Sequence, residues 1–328
     1  MKACVIGDGG WGTALAMTLA SNGHDVTVWG PFEENLRAVR EKRENVTFLP
    51  GVPVPPEIRW TSSPGEAAAE AGLVLVVVPS RYYRDVILRF RECLPPGSLV
   101  VSATKGLDEE TYSRMTRVAA ELLDGRFVAA LSGPTHAEEV ARGYPAAAVV
   151  AGADHAAVGA IRDAFMNRRF RLYTSEDAAG VEYGGALKNV IALAAGINDG
   201  MELGDSAKAA LMTRGLVEIA RLGEALGARR ETFGGLSGMG DLIVTCTSRH
   251  SRNRAVGERL GRGEKLSEVM GAMKMVAEGV WTCGAAVSLA RSQGIEMPVT
   301  EEVRRIVHEG KDPRRAMEDL MGREARNE

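Results

Sequence analysis

The chain has 328 residues, enough for two domains and an ample core, with 45% hydrophobic and 25% charged residues as in a soluble globular protein. A net charge of −3 gives no general attraction to nucleic acid or an anionic membrane, so any anion site is local. Cys4, Cys93, Cys246 and Cys283 form no CxxC and the five histidines are scattered, which argues against a metal site or a disulfide framework and for reduced thiols.

The opening "MKACVIG" is already a strand, with no signal peptide ahead of it. "GTALAMTLASNG" reads as a helix ended by Gly23, "DVTVW" as a second strand and "EENLRAVREKR" as an amphipathic helix. "AGLVLVVV" is a strand apolar on both faces, as a helix-covered parallel sheet demands, and is too short to span a bilayer. The expectation is a cytoplasmic protein without membrane insertion. "RDVILRFRECL" (helix), "SLVVSAT" (strand), "YSRMTRVAAELL" (helix) and "RFVAALS" (strand) continue the rhythm. A helix follows from Thr135, and a strand lies near "AAAVVA". After about Ser175 strand signals fade, and helical patterns cover 181–198, 208–226, 280–293 and 299–308. The expected architecture is an N-terminal α/β doubly wound sheet, residues 1–175, followed by an all-α domain, residues 176–328. Only the terminal "GREARNE" looks disordered.

Between the first strand and first helix, Gly7, Gly9 and Gly12 form a GxGxxG. Gly7 allows a tight turn, Gly9 lets backbone approach a pyrophosphate, and Gly12 permits close helix–strand packing, with the helix N-terminus facing the negative charge. The unit therefore reads as a dinucleotide-binding, Rossmann-like domain. At the tip of the second strand an acid favours NAD and an Arg favours NADP. Gly30, Pro31 and Phe32 stand there instead, with Glu33 and Glu34 just beyond and Arg37 a turn later, which leans the site to NAD. Phe32 either lies against adenine or packs on the following helix.

Three further segments fall at strand ends, where ligands of such sheets bind. "VPSRYY" follows the third strand, "SATKGLD" offers Lys105, and "LSGPTHAEEVA" turns at Gly133 before Thr135. Thr135 has Glu138 at capping-box spacing and opens a helix end suited to an anion. In the second half, "GGALKNVIALAAGIN" sets Lys188 and Asn189 inside an apolar helix. Such a lysine ordinarily snorkels to the surface. Here its neighbours at helical spacing, Gly184, Gly185, Ile191 and Ala192, offer no partner and no wet stripe. Desolvation lowers a lysine pKa and makes Lys188 a candidate general acid/base. A second polar island, "GGLSGMGDLIVTCTSRHSRNRAVG", leads glycines into Asp241, then Thr245 and a basic cluster of Arg249, Arg252, Asn253 and Arg254, where Arg beside Asn suits a phosphate.

Taken together, "GDGGWGTALA", "SATKGL", "LSGPTHAEEVA", "GALKNVIALAAGI", "GLSGMGDLIVTC" and "SRNRAVG" resemble, in order and spacing, the NAD(P)-dependent sn-glycerol-3-phosphate dehydrogenases, nearly end to end. The resemblance implies interconversion of dihydroxyacetone phosphate and sn-glycerol 3-phosphate for glycerophospholipid synthesis, with NAD or NADP. It implies Lys188 as the proton donor and acceptor, with Lys105 and Asp241 shaping the same site. Gly133, Thr135, Ser251, Arg252 and Asn253 would hold the substrate, with Asn189 and Thr245 beside them. Gly10, Trp11, Phe32, Tyr82, Ala137, Val276 and Glu278 would line the dinucleotide, which Lys105 and Arg252 also reach. Two departures stand out: Gly10 replaces a Ser frequent in bacterial members, and "WGPFEEN" lacks the basic residue they place after the second strand. A 3-hydroxy-acid dehydrogenase of the same architecture, or a dinucleotide-binding regulator without catalysis, are the rival readings. A homodimer is compatible with the sequence, which does not itself set an oligomeric state.

Overall fold

The computed structural model describes residues 1–273 and 276–324; Ala325 onward, the end of the expected disordered tail, lies outside the described residues. The chain divides into two compact units, Met1–Glu182 and Tyr183–Glu328.

The first unit is built on eight strands: β1 (Lys2–Ile6), β2 (Asp25–Trp29), β3 (Arg59–Thr61), β4 (Leu73–Val76), β5 (Leu99–Ser102), β6 (Val128–Ser132), β7 (Ala146–Ala151) and β8 (Phe170–Ser175). They lie in the order β3-β2-β1-β4-β5-β6-β7-β8. All neighbours are parallel except β6 and β7. Seven helices accompany them: α1 (Gly10–Ser21), α2 (Glu33–Lys42), α3 (Pro64–Ala68), α4 (Ser80–Phe90), α5 (Met115–Leu122), α6 (Ala137–Ala141) and α7 (His155–Phe165). Strand side chains alternate faces. Val5, Leu73 and Leu75 therefore enter one apolar core with Leu15, Leu36 and Phe165, while Cys4, Ile6, Val74 and Val76 enter the other with Tyr83, Phe90 and Met115. This two-sided burial is why the run around β4 carries no polar alternation.

Strand order reverses at β1, which pairs β2 on one side and β4 on the other with Ile6 level with Trp29 and Val76. The Gly-rich turn leaves the sheet at that reversal, where a doubly wound sheet opens a crevice. The antiparallel β7, the three-residue β3 and the edge strand β8 are features the β/α rhythm did not announce. In β8, Phe170 and Leu172 face the core while Arg171 and Tyr173 are exposed, a half-polar pattern proper to an edge. The helix expected from Tyr112 begins only at Met115. Tyr112 sits in the left-handed region at φ 56 and Arg114 bridges to Leu107, so the preceding residues form a loop.

The second unit is helical. Helix α8 (Ala178–Gly200) carries the division between the units within it, beyond the boundary expected at residue 175. It is followed by α9 (Asp205–Ala225), α10 (Asp241–Thr247), α11 (Arg252–Gly261), α12 (Leu266–Gly271), α13 (Gly279–Ser292), α14 (Pro298–Glu309) and α15 (Pro313–Met321). A 3-10 turn (Arg230–Gly234) and a π-helical turn (Leu236–Gly240) run directly into α10. Helices α8 and α11 pack backbone to backbone. A Cβ at Gly196 or Gly200 would land on the carbonyls of Arg254 or Glu258, and one at Gly257 or Gly261 on those of Leu193 or Ile197. No helix among the described residues is long and apolar enough to cross a membrane.

Candidate active site

The Gly-rich turn is shaped from both sides. Gly7 has φ +129, outside the range of other residues, and a Cβ on it would strike the Val77 carbonyl; one on Gly12 would strike Gly7 itself. Above Gly9, by contrast, there is nothing within 4 Å of an added Cβ. Two of the glycines thus serve packing, and the third faces open space over the N-terminus of α1, whose first turn has no acidic residue and whose cap has no side-chain bond. Unpaired first-turn N–H groups and the helix dipole suit a pyrophosphate there. The turn is clamped by the fully buried Asn45, whose Nδ2 donates to the Asp8 carbonyl at 2.7 Å and to Thr13 Oγ1 at 2.9 Å. The loop after Asn45 also explains Gly10. A Cβ at that position would lie 2.5 Å from the Phe48 carbonyl and 3.6 Å from Ala137, so a serine there does not fit this chain without movement.

Phe32 does not pack into the following helix; it is 66% exposed at the end of β2. Tyr82, in the first turn of α4, is also exposed, with the Arg81 guanidinium 5.0 Å from its ring centre. Trp11 presents a buried Nε1 with no hydrogen-bond partner among the described residues, a donor available to a bound group. The open face at Gly9, the exposed aromatics and this donor together fit a dinucleotide.

At the ends of β5 and β6, Lys105 is half-buried. Its Nζ donates to the Gly133 carbonyl at 2.9 Å, lies 3.5 Å from Thr135 Oγ1 and stands 6.0 Å from the Trp11 ring centre. Lys105, Gly133, Thr135 and Trp11 are thus brought together within the first unit. The expected capping box is not formed. The Thr135 hydroxyl donates to the Gly133 carbonyl at 3.1 Å, helix α6 begins at Ala137, and its cap residue is His136 with no side-chain cap bond. Gly133 has φ +154, the Thr135 hydroxyl lies 3.5 Å from Lys105 Nζ, and α6 has five residues.

In the second unit, Lys188 is 5% exposed and does not snorkel. Its Nζ donates to Asp241 Oδ1 at 2.5 Å and to Thr245 Oγ1 at 2.7 Å. Asp241 is fully buried and Thr245 nearly so, and the Thr245 hydroxyl donates back to the Asp241 carbonyl at 2.6 Å. The partner missing from the helix of Lys188 therefore comes from α10, delivered by the glycine turns. A Cβ on Gly184 would meet the Ser237 carbonyl at 2.6 Å, so α8 and the π-helical turn touch backbone to backbone beside the lysine. The carboxylate supplies the ammonium with the partner its own helix lacks, and offsets part of the cost of burying the charge. Burial pushes the neighbouring Cys246 thiol up to about 12, so it is a spectator.

Asn189, next along α8, accepts from Asn253 Nδ2 at 2.9 Å, and Asn253 Oδ1 accepts from the Gly279 backbone N–H at 2.9 Å. This buried amide relay ties α8, α11 and the start of α13 together, beside half-buried Glu278 and Val276. Ser251 caps α11, accepting from the Arg254 N–H at 3.2 Å, and Arg252 in the first turn is exposed. Arg254 is engaged elsewhere: it pairs with Asp199 at 2.7 Å, as does Lys208 at 2.9 Å. Of the basic cluster, Arg249 and Arg252 are exposed, whereas Arg254 is partly buried against Asp199. Asn45 and Asp8 are site-shaping residues absent from the expected set. Asp8 lies inside the Gly-rich motif, at a position the motif leaves free; nothing in the pattern around Asn45 marks it.

Comparison with known proteins gives the family. The family models for the N-terminus and C-terminus of NAD-dependent glycerol-3-phosphate dehydrogenase match residues 2–158 and 177–318. A glycerol-3-phosphate dehydrogenase (NAD(P)+) of Moorella thermoacetica is 52% identical over 307 residues, covering 94% of this chain and 91% of its own. One of Geobacillus thermodenitrificans is 47% identical over 327 residues, covering 99% and 95%. The crystal structure of glycerol-3-phosphate dehydrogenase from Coxiella burnetii superposes with a TM-score of 0.94 at 36% identity, covering 98% of this chain and 99% of that one. The chain belongs to the NAD-dependent glycerol-3-phosphate dehydrogenase family.

Proposed function

We propose that this protein interconverts dihydroxyacetone phosphate and sn-glycerol 3-phosphate with NAD(H) or NADP(H), at the entry to glycerophospholipid synthesis. The single observation that carries the reading is the buried Lys188–Asp241–Thr245 cluster. The dinucleotide, when bound along the Gly-rich turn, supplies or accepts the hydride. In the reductive direction Lys188 Nζ gives its proton to the substrate oxygen as negative charge grows there; in the oxidative direction it takes that proton back. Asp241 and Thr245 hold the ammonium in place among buried groups, where electrostatic stabilisation of the growing charge is strong. Arg252, Ser251 and Asn253, with Gly133, Thr135 and Lys105, hold the phosphate and glycerol moieties, and this remote binding supplies orientation for the reacting carbon. The acidic pair Glu33 and Glu34 opening α2 supports NAD over NADP. Initial rates with NADH and NADPH on dihydroxyacetone phosphate, against short 3-keto acids, test the reading. Lys188→Ala is expected to cut turnover by about a hundredfold or more with dinucleotide binding kept; undiminished turnover removes the assignment.

A further inference from the structure

In doubly wound sheets an acid at the end of the second strand accepts from the adenosine ribose 2′-hydroxyl and disfavours a 2′-phosphate. Here the residue after β2 is Gly30, whose N–H is held by the Thr61 carbonyl at 3.2 Å, and no side chain projects from it. The space is nevertheless filled. A Cβ built on Gly30 would lie 2.6 Å from Asp8 Cγ and 2.7 Å from Asp8 Oδ2. The carboxyl group of Asp8, which rises from the Gly-rich turn, thus stands where a side chain of residue 30 would. Asn35, in the first turn of α2, donates from Nδ2 to Asp8 Oδ2 at 2.7 Å and fixes the orientation of the group, while Asn45 holds the Asp8 backbone. Asp8 is 6% exposed, and among the described residues no cation bears on it; burial raises its carboxyl above the ordinary range.

We infer that Asp8 is the residue of this chain that selects the unphosphorylated dinucleotide, its carboxyl meeting the adenosine ribose hydroxyls from the first turn instead of from the strand tip. The inference rests on the dinucleotide-binding reading above and adds the residue responsible for discrimination. A ribose diol donates to this acceptor. A 2′-phosphate brings two or three acceptor oxygens and negative charge to a carboxyl that has no ion-pair partner among the described residues.

Dissociation constants for NADH and NADPH, measured by calorimetry on the full chain without substrate, test this in the wild type, Asp8→Ala and Asp8→Asn. The wild type is expected to bind NADH more tightly, and both variants to lose about tenfold or more of the NADH:NADPH ratio, the scale of one charge-assisted hydrogen bond. Asp8→Asn keeps the shape that fills the space under Gly30 and decides the matter where Asp8→Ala folds poorly. A ratio unchanged within about twofold in the variants, with both dinucleotides still bound by the wild type, overturns the role of Asp8 and leaves the proposed function standing. A wild type that binds neither dinucleotide overturns the proposed function, and this inference with it.

Discussion

Asp241→Asn leaves the Lys188 ammonium, 5% exposed, without the carboxylate that sits 2.5 Å from it. At an effective dielectric of about 20, two unit charges at that separation attract by roughly 7 kcal/mol, from 332/(20 × 2.5). Much of that offsets the cost of taking both groups out of water, so the net loss on removing one partner is about 3–5 kcal/mol. Against a typical total of about 5–15 kcal/mol this is a large fraction, readable as a shift of the urea midpoint. A second consequence concerns protons. Burial without a counter-charge disfavours the ammonium that donates the proton, so reductive turnover of the variant is expected to fall as well. Lys188→Met combined with Asp241→Leu removes both charges. It is expected to recover most of the lost stability, to within about 1–2 kcal/mol, with no recovery of turnover. An Asp241→Asn protein within about 1 kcal/mol of wild type, with undiminished reductive turnover, would refute the ion-pair account.

Three other perturbations have defined outcomes. Gly257→Ala sets a methyl group on the Leu193 carbonyl at the α8–α11 crossing; it is expected to cost about 1–3 kcal/mol and, by loosening the Asn189–Asn253 bond, to raise the KM for the phosphorylated substrate, with thermal melts and initial rates as the readouts. Arg252→Ala is expected to raise that KM about tenfold or more, whereas unchanged KM and kcat would remove the phosphate assignment. Glu218, 2% exposed, accepts from the Val299 and Thr300 N–H groups at the start of α14, yet burial raises its carboxyl above the ordinary range. A raised folded-state value means stability that is fully present below the unfolded value of 4.5 and lost as pH rises through the folded one. Denaturant unfolding across that window is therefore expected to show Glu218→Gln gaining more, or losing less, with rising pH than the wild type; parallel curves would count against it.

What was legible in the sequence was what the local backbone imposes. The Gly7–Gly9–Gly12 spacing could be read because each glycine answers a constraint of a few neighbouring residues, and the doubly buried strands because side-chain alternation has a period of two. Lys188 announced itself by contrast with its own helix. The partners were not legible, because a polar side chain bonds to whatever the packing brings near. Lys188 finds Asp241 across 53 positions and Asn189 finds Asn253 across 64. Thr135, at ideal capping spacing, spends its hydroxyl on the Gly133 carbonyl and Lys105 instead. Asp8 shows the same division. Its place inside the Gly-rich motif is plain in the sequence, but only the register of β2 against β1 puts its carboxyl beneath Gly30. Local backbone chemistry is written residue by residue along the chain, whereas the pairing of buried polar groups is decided by which helices and strands come to lie against one another.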